Sequence, residues 1–154
     1  MKTVYGMAKC YLNLGGSRAR NFELDFLRLA LVAERDADCV GVYLAAPLRK
    51  NRERVELWNA KYGGSQEVQF VHLELSSEEL VALEAEKSRQ DESNRSEADA
   101  ETRSGASASY GETLCEDKLA KYIAGVHPTV TPRRAGNAPC LSGIRWDYFG
   151  NIAE

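Results

Sequence analysis

Asp38-Cys39-Val40-Gly41-Val42-Tyr43-Leu44-Ala45-Ala46 is apolar at nearly every position after its first. A strand with one wet face alternates apolar and polar residues. A strand that is apolar throughout belongs in a sheet covered on both faces, the usual setting of parallel α/β sheets. Pro47 closes the run because it has no backbone N–H to donate. Working back from it, residues Asn21 to Arg35 carry Phe22, Leu24, Phe26, Leu27, Leu29, Leu31 and Val32, a helical stripe wide enough to press against a sheet. Asn21 is read as the cap of that helix, with Glu23 and Asp25 in its first turn, where the helix dipole favours acids. Further back, Thr3 to Leu14 supplies the β-formers Val4, Tyr5, Tyr11 and Leu12 and stops at the turn Gly15-Gly16-Ser17.

Working forward, Lys50 to Tyr62 reads as a short helix and Glu67 to Leu75 as a third strand, while Ser76 and Glu79 form a capping box for a third helix. Strand–helix–strand–helix–strand order predicts an α/β fold. The expectation is a small three-layer domain with a mostly parallel sheet and flanking helices, plus a C-terminal helix and an irregular tail. Between Glu84 and Thr113 there is no Val, Ile, Leu, Met, Phe or Trp. Such a stretch buries too little surface to offset its ordering entropy. The chain is therefore divided into an α/β domain at 1–92, a flexible polar linker at 93–111, and a C-terminal helix with an aromatic tail at 112–154.

A chain of 154 residues, 44% hydrophobic and 28% charged, has room for one real core. A net charge of −3 argues against a broadly basic, duplex-coating surface. No apolar run reaches the length of a membrane span, and the first residues lack a secretory pattern, so a cytoplasmic protein without a membrane partner is expected. Cys10, Cys39, Cys115 and Cys140 form no CxxC pair and read as reduced thiols. Three strands leave two open edges, which natural sheets seldom leave uncovered. Either the tail adds a strand or a second copy pairs across an edge; a two-fold homodimer is expected. Trp146, Tyr148 and Phe149 are its interface candidates, docking on their own domain or on the dimer mate.

Candidate chemistry gathers where the strands should end. Gly15, Gly16 and Ser17, followed by Arg18 and Arg20, lie at a strand-to-helix turn where free amides attract anions. The basic cluster Arg49, Lys50, Arg52 and Arg54 should lie at the same sheet end. Together they suggest a rim for a phosphate-bearing ligand or a nucleic-acid backbone. Each part also has an ordinary reading, as a tight turn and as a solvated helix start. His72 and His127 show no spacing to a thiol or to each other that marks a catalytic pair or a metal site.

The run Ala8-Lys9-Cys10-Tyr11, the helix from Phe22 to Ala30 and the strand from Gly41 to Pro47 resemble the later part of PD-(D/E)xK nuclease-fold proteins. In that family a strand bearing an acid-x-Lys motif leads to a helix and an apolar strand. The resemblance implies that Lys9 positions and activates an attacking water, with Mg2+ as the cofactor. Met7 stands where the family has its metal-binding acid, so Glu23 or Asp25 would have to hold the ion. Apart from that magnesium, no cofactor is expected. Three readings follow: a non-enzymatic binding or assembly module acting as a homodimer, a phosphate-ligand or nucleic-acid-binding domain, and a degenerate nuclease.

Overall fold

The computed structural model describes residues 2–48, 52–96, 110–129, 133–134 and 148–152. In chain order its elements are β1 (Lys2–Ala8), α1 (Ser17–Arg35), β2 (Cys39–Ala46), α2 (Arg52–Tyr62), β3 (Val68–His72), α3 (Ser77–Ser96), α4 (Tyr110–Val126), β4 (Arg133–Arg134) and β5 (Tyr148–Ile152). The sheet order is β3-β2-β1-β5-β4. β1, β2 and β3 run parallel, as a small α/β domain requires, with Met7 opposite Leu44 and Val42 opposite Val68.

Period-two alternation sorts the strand residues onto two cores. Met7, Val42, Leu44, Ala46 and Val68 meet Phe22, Phe26 and Leu29 of α1 and Val55 and Trp58 of α2. Val4, Tyr43, Ala45, Val71 and Leu73 meet Cys115, Leu119 and Ile123 of α4. β2 is accordingly buried at every position except Val40, which is why its sequence is apolar throughout. The Ser76–Glu79 capping box is present: Ser76 N–H donates to Glu79 Oε2 at 2.9 Å and Glu79 N–H to Ser76 Oγ at 3.2 Å.

Several boundaries differ from expectation for local reasons. β1 ends at Ala8 rather than Leu14, because Pro47 ends its neighbour; after Ala8 pairs with Ala45, only the Lys9 N–H still finds a strand carbonyl, Ala45 O at 2.8 Å. α1 begins at Ser17, a turn before Asn21, because Gly16 takes a positive φ of 58° and turns the chain directly into the helix. Glu23 and Asp25 therefore lie inside α1, and its first turn carries no acid. Its buried stripe, Phe22, Asp25, Phe26, Leu29 and Ala33, is narrower than expected, with Leu24 and Leu31 exposed.

Of the expected linker 93–111, residues 93–96 belong to α3 and 110–111 to α4, and 97–109 lie outside the described residues. The tail contributes a strand. β5 runs antiparallel to β1, with Phe149 opposite Tyr5 and Tyr148 opposite Gly6, so one edge of the parallel sheet is covered by the same chain. Trp146, the remaining interface candidate, lies outside the described residues, as do Cys140, Arg49 and Lys50. No helix among the described residues is long and apolar enough to cross a membrane.

A candidate ligand cleft beyond the first strand

The chain steps outward from β1 through β2 to β3, then returns to the other side of β1 with β5. The carboxyl end of β1 is therefore where its two neighbouring connections diverge, the usual place for a crevice in an open α/β sheet. A cleft of about 380 Å³ opens there, floored by Ala8 to Leu12. One wall is α1, with Arg18, Asn21, Leu24, Asp25 and Arg28; the other is α3 and α4, with Leu83, Glu86, Lys87, Glu112 and Glu116.

The strand alternation continues for two residues past β1 and sets the cleft's chemistry. Lys9 turns to the α1 side, where its Nζ lies 3.0 Å from Asp25 Oδ2. Arg28, one turn along the helix, places Nη1 3.3 Å from Asp25 Oδ1. Asp25 is 3% exposed and sits in the apolar stripe of α1, three residues after Phe22. A carboxylate there is tolerable only when paired, and two cations hold it. At the mouth, α1 starts at Gly16 with no side chain capping its free amides. The guanidinium of Arg18 donates to Asn13 Oδ1 at 3.2 Å.

Cys10 turns to the opposite, α4 side and packs against that core. Glu86 reaches from α3 to the start of α4 and accepts the Tyr110 N–H at 3.0 Å on Oε1 and the Gly111 N–H at 3.2 Å on Oε2, acting as a cap from another helix. Gly111 is required by this approach: a Cβ there would stand 2.4 Å from Leu83 Cδ2 and 2.5 Å from Cys10 Sγ. Cys10 and Cys115 pack into the same core cluster and act on one another's thiols. The neighbouring Cys115 thiol lowers the Cys10 thiol against burial and the nearby carboxylates of Glu86 and Glu112. The Cys10 thiol beside it, together with burial, raises the Cys115 thiol.

The expected site residues divide among three places. Lys9, Asp25 and Arg18 meet in this cleft, with Gly15, Gly16 and Ser17 exposed at the start of α1. Arg20 is exposed and does not line it. Glu23 faces α2, where the Tyr62 hydroxyl donates to its Oε1 at 3.4 Å. Arg52 lines a different groove, of about 890 Å³, beside β3 with Pro47, Asn59, Phe70 and His72, and its Nε lies 3.0 Å from Glu56. Arg18 and Arg52 therefore do not share one rim. Met7, at the nuclease acid position, is fully buried against α1 and offers no oxygen to a metal. Among the described residues no three His, Cys, Asp or Glu side chains cluster as metal ligands.

Sequence reasoning missed Cys10 in the floor and Arg28, Glu86, Glu112 and Glu116 in the walls. Asp25 did carry a signal of burial, since it falls in helical register with Phe22, Phe26 and Leu29. Glu86 carried none, because its partners lie beyond a long polar stretch. Comparison with protein-family models, with curated proteins and with solved structures returns no match. The functional reading therefore rests on this geometry.

Proposed function

We propose that this chain is a binding module that holds a small phosphate-bearing ligand in the cleft beyond β1. The supporting observation is the α1 side of the cleft, where Lys9, Arg18 and Arg28 outnumber Asp25 across from the acidic wall of Glu86, Glu112 and Glu116, beside a helix start that has neither a capping side chain nor an acid in its first turn. Free amides and a positive dipole end favour an anion, and Arg forks suit phosphate oxygens. Titration calorimetry with inorganic phosphate, a nucleotide and a short single-stranded oligonucleotide tests this. Arg18→Ala should weaken phosphate-ligand binding about tenfold, while Arg52→Ala should leave it unchanged. Equal losses in the two variants, or no binding by wild type, remove the reading. Binding of the oligonucleotide alone, with a steep salt dependence, would make the ligand a nucleic-acid backbone. Catalysis has no part in this proposal, because Met7 is apolar and Lys9 is engaged by Asp25. Magnesium-dependent cleavage abolished by Lys9→Ala would overturn that.

A separate observation favours self-association along β3. The Asn59 side chain pairs with both backbone groups of Val68, donating to its carbonyl at 2.8 Å and accepting its N–H at 3.1 Å. Strand alternation aims the same groups of Phe70 and His72 outward, and no described strand pairs with them. We propose a two-fold dimer formed by pairing these edges, which would keep the edge from promiscuous association. Sedimentation velocity should show a dimer that His72→Pro, which removes an outward donor, converts to monomer. A monomeric wild type at high micromolar concentration would sink it.

A further inference from the structure

Two thiols meet across the α4 face. Cys10 is the second residue after β1 and lines the open cleft, so a small solute reaches it. Cys115 is fully buried in α4, on the same stripe as Gly111 four residues earlier. Cys10 Sγ rests on Gly111, where only the absence of a side chain admits it, one helical turn from Cys115 in the same core cluster. Cys39 makes a contrast at the other end of the sheet: it is buried, donates to Gly41 O at 3.5 Å, and burial pushes its thiol up. One pair therefore combines access, a neighbouring thiol and a polarised sulfur, while Cys39 has none of these.

We propose that Cys10 and Cys115 are a covalent modification site, joined into a reversible disulfide by a hydroperoxide entering the β1 cleft. In the first step the Cys10 sulfur attacks a peroxide oxygen. The S–O bond forms, the O–O bond breaks, and the departing oxygen takes up the proton given up by the Cys10 thiol, leaving as water, or as an alcohol from an organic peroxide. In the second step the Cys115 sulfur attacks the Cys10 sulfenic acid. The S–S bond forms, the S–O bond breaks, and the Cys115 proton leaves with the hydroxyl as water. Two thiols lose two electrons and the peroxide gains them. The cross-link ties α4 to the end of β1, so it fixes the acidic wall of the cleft to its floor. It is independent of what the cleft binds.

The test uses the full chain carrying Cys39→Ser and Cys140→Ser, reduced and then treated with hydrogen peroxide and an alkylating quench. The expected product has lost the mass of two hydrogens, yields a Cys10–Cys115 linked peptide, melts several degrees higher, and reverts with dithiothreitol. Cys115→Ala should stop at a sulfenic acid on Cys10 that a dione reagent traps, and Cys10→Ser should show no reaction at Cys115. Peptide mapping of the unsubstituted chain reads the same linkage even if a variant folds poorly. Oxygen added to Cys10 without a linkage in the chain retaining both thiols, survival of both thiols, or a linkage between other cysteines would overturn the assignment.

Discussion

The two faces of the sheet are closed by different means. On the α1 and α2 face, large side chains from one continuous stretch of chain interlock, with the Phe26 and Trp58 rings 5.4 Å apart and Phe22 5.8 Å from Trp58. On the α4 face the residues are smaller, Val4, Ala45, Cys115, Leu119 and Ile123, and the helix that supplies three of them arrives from beyond a long polar segment. That face also carries polar work: Tyr43 meets the His127 ring nitrogen at 2.7 Å, and Lys118 joins α4 to Glu79 of α3 at 3.2 Å. The difference teaches where function is affordable. An aromatic core stabilises the fold by itself, and the lighter face has room for thiols, carboxylates and an opening.

The largest effect should come from the heavier face. Phe26→Ala removes a fully buried ring that packs at a tilt against Trp58, and should cost about 4 kcal/mol in urea unfolding. Leu119→Ala on the lighter face should cost about 3 kcal/mol, because its pocket is lined by smaller neighbours that relax further. The two losses should add within a few tenths of a kcal/mol, since the sheet separates the sites; strong coupling would show that the two cores behave as one. Gly111→Ala comes next. Alanine normally favours a helix by about 1 kcal/mol over glycine. Here its Cβ would strike Leu83 and Cys10, so a net loss of about 2 kcal/mol is expected. A gain in stability would mean that α4 stands off from β1.

The same contrast explains what was legible in the sequence. Apolar periodicity reports burial against a nearby partner, so β2, the α1 stripe and the helix at Val55 and Trp58 could all be read from local pattern. Boundaries were less visible, because the start of α1 depends on one positive-φ glycine and the end of β1 on where Pro47 stops its neighbour. Of the cleft, the α1 side was half legible: Arg18, Lys9 and Asp25 were candidates, but Asp25 was read as a first-turn acid rather than as the buried partner of Lys9 and Arg28. The α3 and α4 wall was not, because Glu86, Glu112 and Glu116 meet the floor and α1 only through contacts between segments far apart in the chain. The order of the sheet was open for the same reason, since no local signal says whether a tail strand adds to β1 or a second chain does.

Acid should separate the faces without any substitution, by smaller steps. At the amino end of β1 the hydroxyls of Thr3 and Tyr5 and the Asp38 N–H converge on Asp36, the last two at 2.8 and 2.9 Å. Burial opposes the Asp36 charge, but these donors outweigh it and hold its carboxyl below the ordinary value. A depressed carboxylate contributes stability that is full above its unfolded value and is lost as pH falls through the folded one. Asp36→Asn should therefore cost about 1 kcal/mol at neutral pH and flatten the loss of stability below pH ~4. His127 acts earlier and more weakly. Burial lowers its pKa and favours the neutral ring, whose Nε2 shares a hydrogen bond with the Tyr43 hydroxyl. As pH falls below the ordinary histidine value of ~6.5, the unfolded chain binds a proton that the folded chain refuses, and stability declines. His127→Asn keeps an acceptor for Tyr43 and should remove that slope between neutral and mildly acid pH, leaving the Asp36 step in place. If the slope persists in that variant, another titrating group produces it; a wild type that instead gains stability as pH falls through this range would mean that the His127 ring is charged in the folded protein.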